Sequence, residues 1–257
     1  MGSLLSKYCG APHMLIVNKK FSGKGSKLIN DFIRSFHNEF EKFILNYAKY
    51  SILDDELEHI FWFGEQQVKT AVTCVLCKLC KGYVMQEPAV YRKINTEKEE
   101  NQLKNGRVDY WCRYGNKTKI SILIEVKHHW INLDKNKQYV LYKEAQRRHM
   151  SAIEQIKNIK KDDYIIDNLY GAALTILPIF TRYDSPDEKL LLLNRNQLSE
   201  ICKGIIGTAK SNVCGGFLIP KKLQSIMTFY DENAEKDKYQ SFPGVILVWT
   251  LYKFTKT

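Results

Sequence analysis

Gly106 to Trp130, GRVDYWCRYGNKTKISILIEVKHHW, is read first because its pairing decides the fold. Arg107 to Arg113 and Lys119 to His128 are rich in Val, Ile, Trp and Tyr, as strands are, and Tyr114-Gly115-Asn116-Lys117 between them is turn chemistry, so a β-hairpin is predicted. With a loop of about two to six residues around Asn116, Asp109 falls opposite a position between Ile122 and Val126, beside Glu125. Side chains alternate along a strand, which puts Glu125 and Lys127 on one face and Ile122, Ile124 and Val126 on the other. Ser121 to Val126, SILIEV, is too apolar for an exposed edge. The Glu and Lys therefore end a largely buried strand, where an unpaired charge is costly.

Two carboxylates and an ammonium are thus expected to converge. Carboxylate oxygens suit a hard cation such as Mg²⁺ or Mn²⁺, which polarises a phosphoryl oxygen and makes a bound water more acidic. The lysine beside it can hold or deprotonate that water, or offset charge building on phosphorus. The plainer alternative is a surface strand with an ordinary mixture of Glu and Lys; the apolar run before Glu125 weighs against it.

The whole chain sets the bounds. Its 257 residues are 44% hydrophobic and 12% aromatic, enough to build a core. The 39 Lys and Arg against 28 Asp and Glu give a formal charge of +11, which favours a polyanionic partner such as nucleic acid. No apolar run approaches the roughly 18 residues of a membrane span, and no secretory signal opens the chain. Seven cysteines, an odd number in a chain that needs no covalent staples, point to reduced thiols and a cytoplasmic setting.

Outward from the hairpin, Leu28, Ile29, Phe32, Ile33, Phe36, Phe40, Phe43, Ile44 and Tyr47 recur at helical spacing, predicting a helix over Lys27 to Tyr50 with a broad aromatic face. Phe21-Ser22-Gly23-Lys24-Gly25-Ser26 lacks the spacing of a phosphate-binding loop. A second helix is expected from Asp54 or Asp55 to about Lys81, with a break at Gly64. Glu65 precedes Val68 and Val72 on its buried stripe, so it is either a third acid of the site or a partly exposed Glu paired with a lysine; Glu58 is the alternative donor. Cys74, Cys77 and Cys80 advance about 300° per step of three, so their thiols fan across the helix and are read as packing residues, not as a cluster on one ion. Tyr83 to Lys93 reads as a strand interrupted by Pro88, and Asn95 to Asn105 as a charged loop. Asp134 caps a long helix to about Ile159 whose Lys143, Arg147 and Arg148 can take a phosphate backbone or form a solvated face. Leu169 to Tyr183 reads as a buried strand reached by a parallel crossover.

Helix, strand, strand, strand, helix, strand, with Glu65 on the first helix, Asp109 on the second strand, Glu125-x-Lys127 on the third and a basic helix following, resembles the PD-(D/E)XK nuclease superfamily, the restriction-endonuclease-like fold. The resemblance covers Asp54 to Tyr183. It implies an α/β protein with a mixed β-sheet core of αβββαβ order flanked by helices. Asp109 and Glu125 look like the metal-binding acids, Lys127 like the signature lysine and Glu65 like the helix glutamate that many members add. Gln138-x-x-x-Tyr142 is similar to a Q-x-x-x-Y that supports the site in the exonuclease-like branch. Val108 stands where the commonest pattern has Pro, and His128 and His129 after the lysine lie outside the pattern, either contacting phosphate or ending the strand.

Beyond Ser185, Asn194 to Ile206 reads as a helix ending at Gly204 or Gly207, Phe217 to Ile219 as a short strand, Lys222 to Tyr230 as helical, Asp231 to Gln240 as a polar loop and Val245 to Phe254 as a final strand. The expected organisation is an N-terminal helical extension, 1–53, and one nuclease-like domain, 54–257, elaborated from about 185. The expected activity is that of a Mg²⁺- or Mn²⁺-dependent deoxyribonuclease, endo or exo, acting as a monomer or homodimer without a membrane partner. The alternatives are a catalytically inactive nucleic-acid-binding member of the fold and a protein-interaction module docking through Phe32, Phe36, Phe40 and Phe43.

Overall fold

The computed structural model describes residues 14–17, 26–53, 60–61, 64–93, 103–133, 138–160, 168–183, 193–209, 213–224, 227–231 and 236–254. It is a mixed α/β structure with an open mixed sheet. The helices are α1 (Ser26–Leu53), α2 (Glu65–Leu79), α3 (Gln138–Lys157) and α4 (Arg195–Ala209). The strands are β1 (Met14–Val17), β2 (Val84–Gln86), β3 (Ala89–Lys93), β4 (Leu103–Arg107), β5 (Tyr110–Tyr114), β6 (Ile120–His128), β7 (Ile131–Asn132), β8 (Leu169–Tyr183), β9 (Val213–Leu218), β10 (Met227–Asp231) and β11 (Lys236–Lys253). The main sheet runs β1-β9-β11-β8-β6-β5-β2, with β10 on β11 and β7 on β8 at its margins, while β3 and β4 form a separate hairpin.

Strand alternation builds three layers. Ile122, Ile124 and Val126 of β6, Leu174 and Ile176 of β8, and Val245, Leu247 and Trp249 of β11 face α1 and α2. Leu123, Ala173, Leu177, Ile246 and Val248 point the other way, toward α3 and α4. The aromatic face of α1 is core: Phe32, Phe36 and Phe40 are fully buried, and Phe36 meets Trp249 edge-on at 5.1 Å. It therefore offers no free docking face, and α1 shares one continuous hydrophobic cluster with the sheet. Strands β5 and β6 pair antiparallel and β6 and β8 pair parallel, with α3 carrying the chain between them. No helix among the described residues is long and apolar enough to cross a membrane.

Several boundaries move from their expected places. Helix α2 begins at Glu65, just after the expected break at Gly64, which takes φ +91°, while Ile60 and Phe61 form a turn. Pro88 divides β2 from β3 so completely that the two join different sheets, and β4 occupies the end of the segment read as a loop, placing Arg107 there and not in β5. Helix α4 continues through Gly204 and Gly207 to Ala209. Lys222 to Tyr230 is not a helix: a single 3-10 turn at Lys221–Leu223 is followed by β10, whose partner is the polar start of β11. Asp54, Asp55, Glu58, Asp134 and Phe21 to Gly25 lie outside the described residues.

Candidate active site

The site grows from the register of one hairpin. Tyr110 stands opposite Ile124 and Tyr114 opposite Ile120, so the next residue outward, Asp109, comes to Glu125. Its Oδ2 accepts the Val126 backbone N–H at 2.7 Å, continuing the pairing with a side chain where the strands part. Glu125 lies on the α3 face and is almost wholly buried. Lys127, two residues on along the same face, donates from Nζ to Glu125 Oε1 at 2.9 Å. Asp109, Glu125 and Lys127 are thereby brought together.

Two cations that the hairpin alone does not reveal complete the cluster. Lys69 Nζ lies 2.9 Å from Asp109 Oδ1 and 2.9 Å from Glu65 Oε1, so Glu65 joins Asp109 only through that ammonium. Tyr110 fixes the helix that carries Lys69: its hydroxyl donates to Lys69 O at 2.7 Å, and Gln86 Nε2 donates to the adjoining Thr73 Oγ1 at 2.6 Å, tying β2, β5 and α2 into one unit. Arg92, from β3, lies 3.4 Å from Glu125 Oε2 and donates to Gln155 of α3 at 3.1 Å. It also donates to the Arg107 carbonyl. The signal for Lys69 was present in sequence as Glu65-x-x-x-Lys69, an i,i+4 helix pair. Arg92 carried none, since its position depends on the β3–β4 hairpin folding against α3.

The electrostatics follow from burial. Desolvation raises the Glu125 carboxyl above the usual range and the Asp109 charge raises it further, while Lys127 and Arg92 pull it down. Burial lowers the Lys69 ammonium, but the hydrogen bonds it donates to Asp109 and Glu65, with their negative charge, more than reverse this and hold it above the ordinary lysine range. Tyr110 is pushed up to about 12, chiefly by burial.

The remaining expected residues are placed as follows. Glu65 is the partly exposed partner of a lysine on the α2 side of the sheet, opposite the face that carries Glu125. Arg147 and Arg148 are exposed on α3, where both pair with Glu144, and their charges reach His129. Lys143 is exposed on the same helix. Tyr142 packs toward α4 beside Gly204, and the side chain of Gln138 lies outside the described residues. His128 is buried edge-on against Trp130 at 4.5 Å and held down to about 4 by desolvation, so it is a neutral strand-end residue. Cys74 and Cys77 are exposed while Cys80 is buried and hydrogen-bonded to Cys112, so these thiols do not share a face.

Among the described residues no three His, Cys, Asp or Glu side chains are grouped closely enough to hold a metal ion. One or two carboxylates with water and substrate oxygens are a sufficient set for magnesium, and the neighbouring Asp109 and Glu125 are the residues that would supply them. Glu65 Oε1 and Asp109 Oδ1 are both engaged by Lys69. Compared with models of known families and with curated proteins, the chain matches none.

Proposed function

We propose that this chain is a metal-dependent nuclease hydrolysing phosphodiester bonds of nucleic acid, DNA foremost, on a restriction-endonuclease-like core of the PD-(D/E)XK kind. The meeting of Asp109, Glu125 and Lys127 where β5 and β6 part is the observation that carries the proposal. Further support comes from the order β2-β5-β6-β8, from α2 and α3 on opposite faces and from the parallel pairing of β6 with β8.

Asp109 and Glu125 would hold Mg²⁺ or Mn²⁺, which when bound supplies Lewis acidity and a more acidic water. Lys127, fixed against Glu125, orients the attacking water and offsets charge building on phosphorus. Arg147, Arg148 and Lys143, on the helix that packs behind β6, take backbone phosphates and set the strand across the acids.

Cleavage of plasmid, linear duplex, single-stranded DNA and RNA with Mg²⁺ or Mn²⁺, against an EDTA control, tests the proposal. Lys127→Ala or Asp109→Asn is expected to lower the rate by about 100-fold or more. Undiminished cleavage in both variants would remove these residues from the chemistry. A second reading rests on Lys69 and Arg92, which already offset the acids without an ion. A non-catalytic nucleic-acid-binding protein of the same fold would then show salt-sensitive binding and no metal-dependent hydrolysis.

A further inference from the structure

At the opposite end of the β5–β6 hairpin lies a trough of about 1260 Å³ that the proposed chemistry does not use. Its walls come from the N-terminal half of α1, the C-terminal end of α2 with Lys81 and Tyr83 beyond it, and the end of β5 with the hairpin turn. Lys27, Lys78, Lys81, Arg113, Lys117 and Lys119 line it against two carboxylates, Asp31 and Glu39.

Little of that positive charge is cancelled. Lys78 pairs with Glu39, which Lys42 also engages. Among the described residues Lys81 donates to the neutral Asn116, at 3.2 Å, and Lys119 sits 5.3 Å from the centre of the Tyr83 ring. The Nε of Arg113 is buried with no hydrogen-bond partner among the described residues. The first turn of α1 carries Lys27 and no acidic residue, although the amide dipoles there favour negative charge. Cations lining a concavity repel one another unless an anion enters between them, and field lines concentrate in such a cleft. Tyr83, 55% exposed, and Tyr114 add aromatic surface to the same walls.

We infer that this trough is a nucleotide-binding site, taking phosphates between Lys81, Lys117, Lys119 and the start of α1, with a base against Tyr83. Its volume exceeds the roughly 300–1,000 Å³ of common small-ligand pockets, so a short strand fits as well as a single nucleotide. The inference does not depend on cleavage at the acid cluster.

Fluorescence anisotropy on the full chain in EDTA tests it, with a fluorescein-labelled oligothymidylate of eight nucleotides and a labelled nucleoside diphosphate as separate probes. Lys81→Gln with Lys119→Gln is expected to weaken binding about tenfold and to lower the salt slope by about two, and Tyr83→Ala to weaken it about tenfold. The control pair Lys203→Gln with Lys221→Gln, on α4 and the 3-10 turn, is expected to change it less than about twofold. Binding of the oligonucleotide alone identifies a strand, and comparable binding of both probes identifies a single nucleotide; either supports the site. No binding of either probe at low salt, or equal losses in the trough and control variants with unchanged circular dichroism, overturns it.

Discussion

Lys69 decides what the acid cluster can do. Its ammonium lies 2.9 Å from both Asp109 Oδ1 and Glu65 Oε1 and so shields one carboxylate from the other. Lys69→Met is expected to cost about 1–3 kcal/mol in urea unfolding, because it leaves a partly buried carboxylate without its partner. The same variant is expected to bind Mn²⁺ about tenfold more tightly in calorimetry if the acids are ion ligands, since the ion no longer competes with a lysine. No Mn²⁺ binding in wild type or variant would favour the non-catalytic reading. At this scale the sequence was legible where register carries information: alternation and a short turn were enough to set Asp109 beside Glu125. It was silent on Arg92, whose guanidinium arrives from another sheet.

Elements were legible in proportion to their apolar content. Strand β8 occupies Leu169–Tyr183, the expected span, because a run buried on both faces has little else to become. The β10–β11 hairpin and β4 were not legible, because Lys236 to Gln240 and Lys104 to Arg107 share their polar composition with loops. Helix α3 crosses β8 at Gly171, where an added Cβ would run into Ile156 and the Phe254 ring. Gly171→Ala is therefore expected to lose about 1–3 kcal/mol by overpacking, read as a shift of the urea midpoint. At the start of α4, Asn194 Oδ1 accepts the Gln197 N–H at 2.9 Å and Gln197 Oε1 accepts the Asn194 N–H at 2.9 Å. Asn194→Ala is expected to cost about 1 kcal/mol and to lower the thermal midpoint accordingly.

For the whole molecule, acid acts through buried imidazoles. His149 bridges Thr175 and Thr250 at 2.8 Å each, between α3, β8 and β11, and burial holds it down to about 4, as it does His128. A histidine whose folded value lies below the unfolded one stabilises the fold above about pH 6.5, and that contribution is lost as pH falls toward 4. Glu41, pushed up to about 7 by burial, acts in the opposite sense, contributing below about pH 4 and losing that contribution as pH rises through 7. Denaturant titrations from pH 7 to 4 are expected to show a loss that His149→Gln flattens by about 3 kcal/mol; an unchanged slope would mean that the imidazole is already charged in the folded state.

Strand β11 follows every other strand along the chain, yet it lies inside the sheet between β8 and β9. His37 of α1 accepts the Trp249 indole N–H at 3.0 Å across a separation of 212 residues. At ordinary translation speeds of about 5–20 residues per second, the greasy side of α1 is made about 10–40 s before Trp249, the last part of its cover. In that interval Phe32 and Phe36 lack their Trp249 partner, and crosslinking of stalled chains is expected to find this face held by a chaperone.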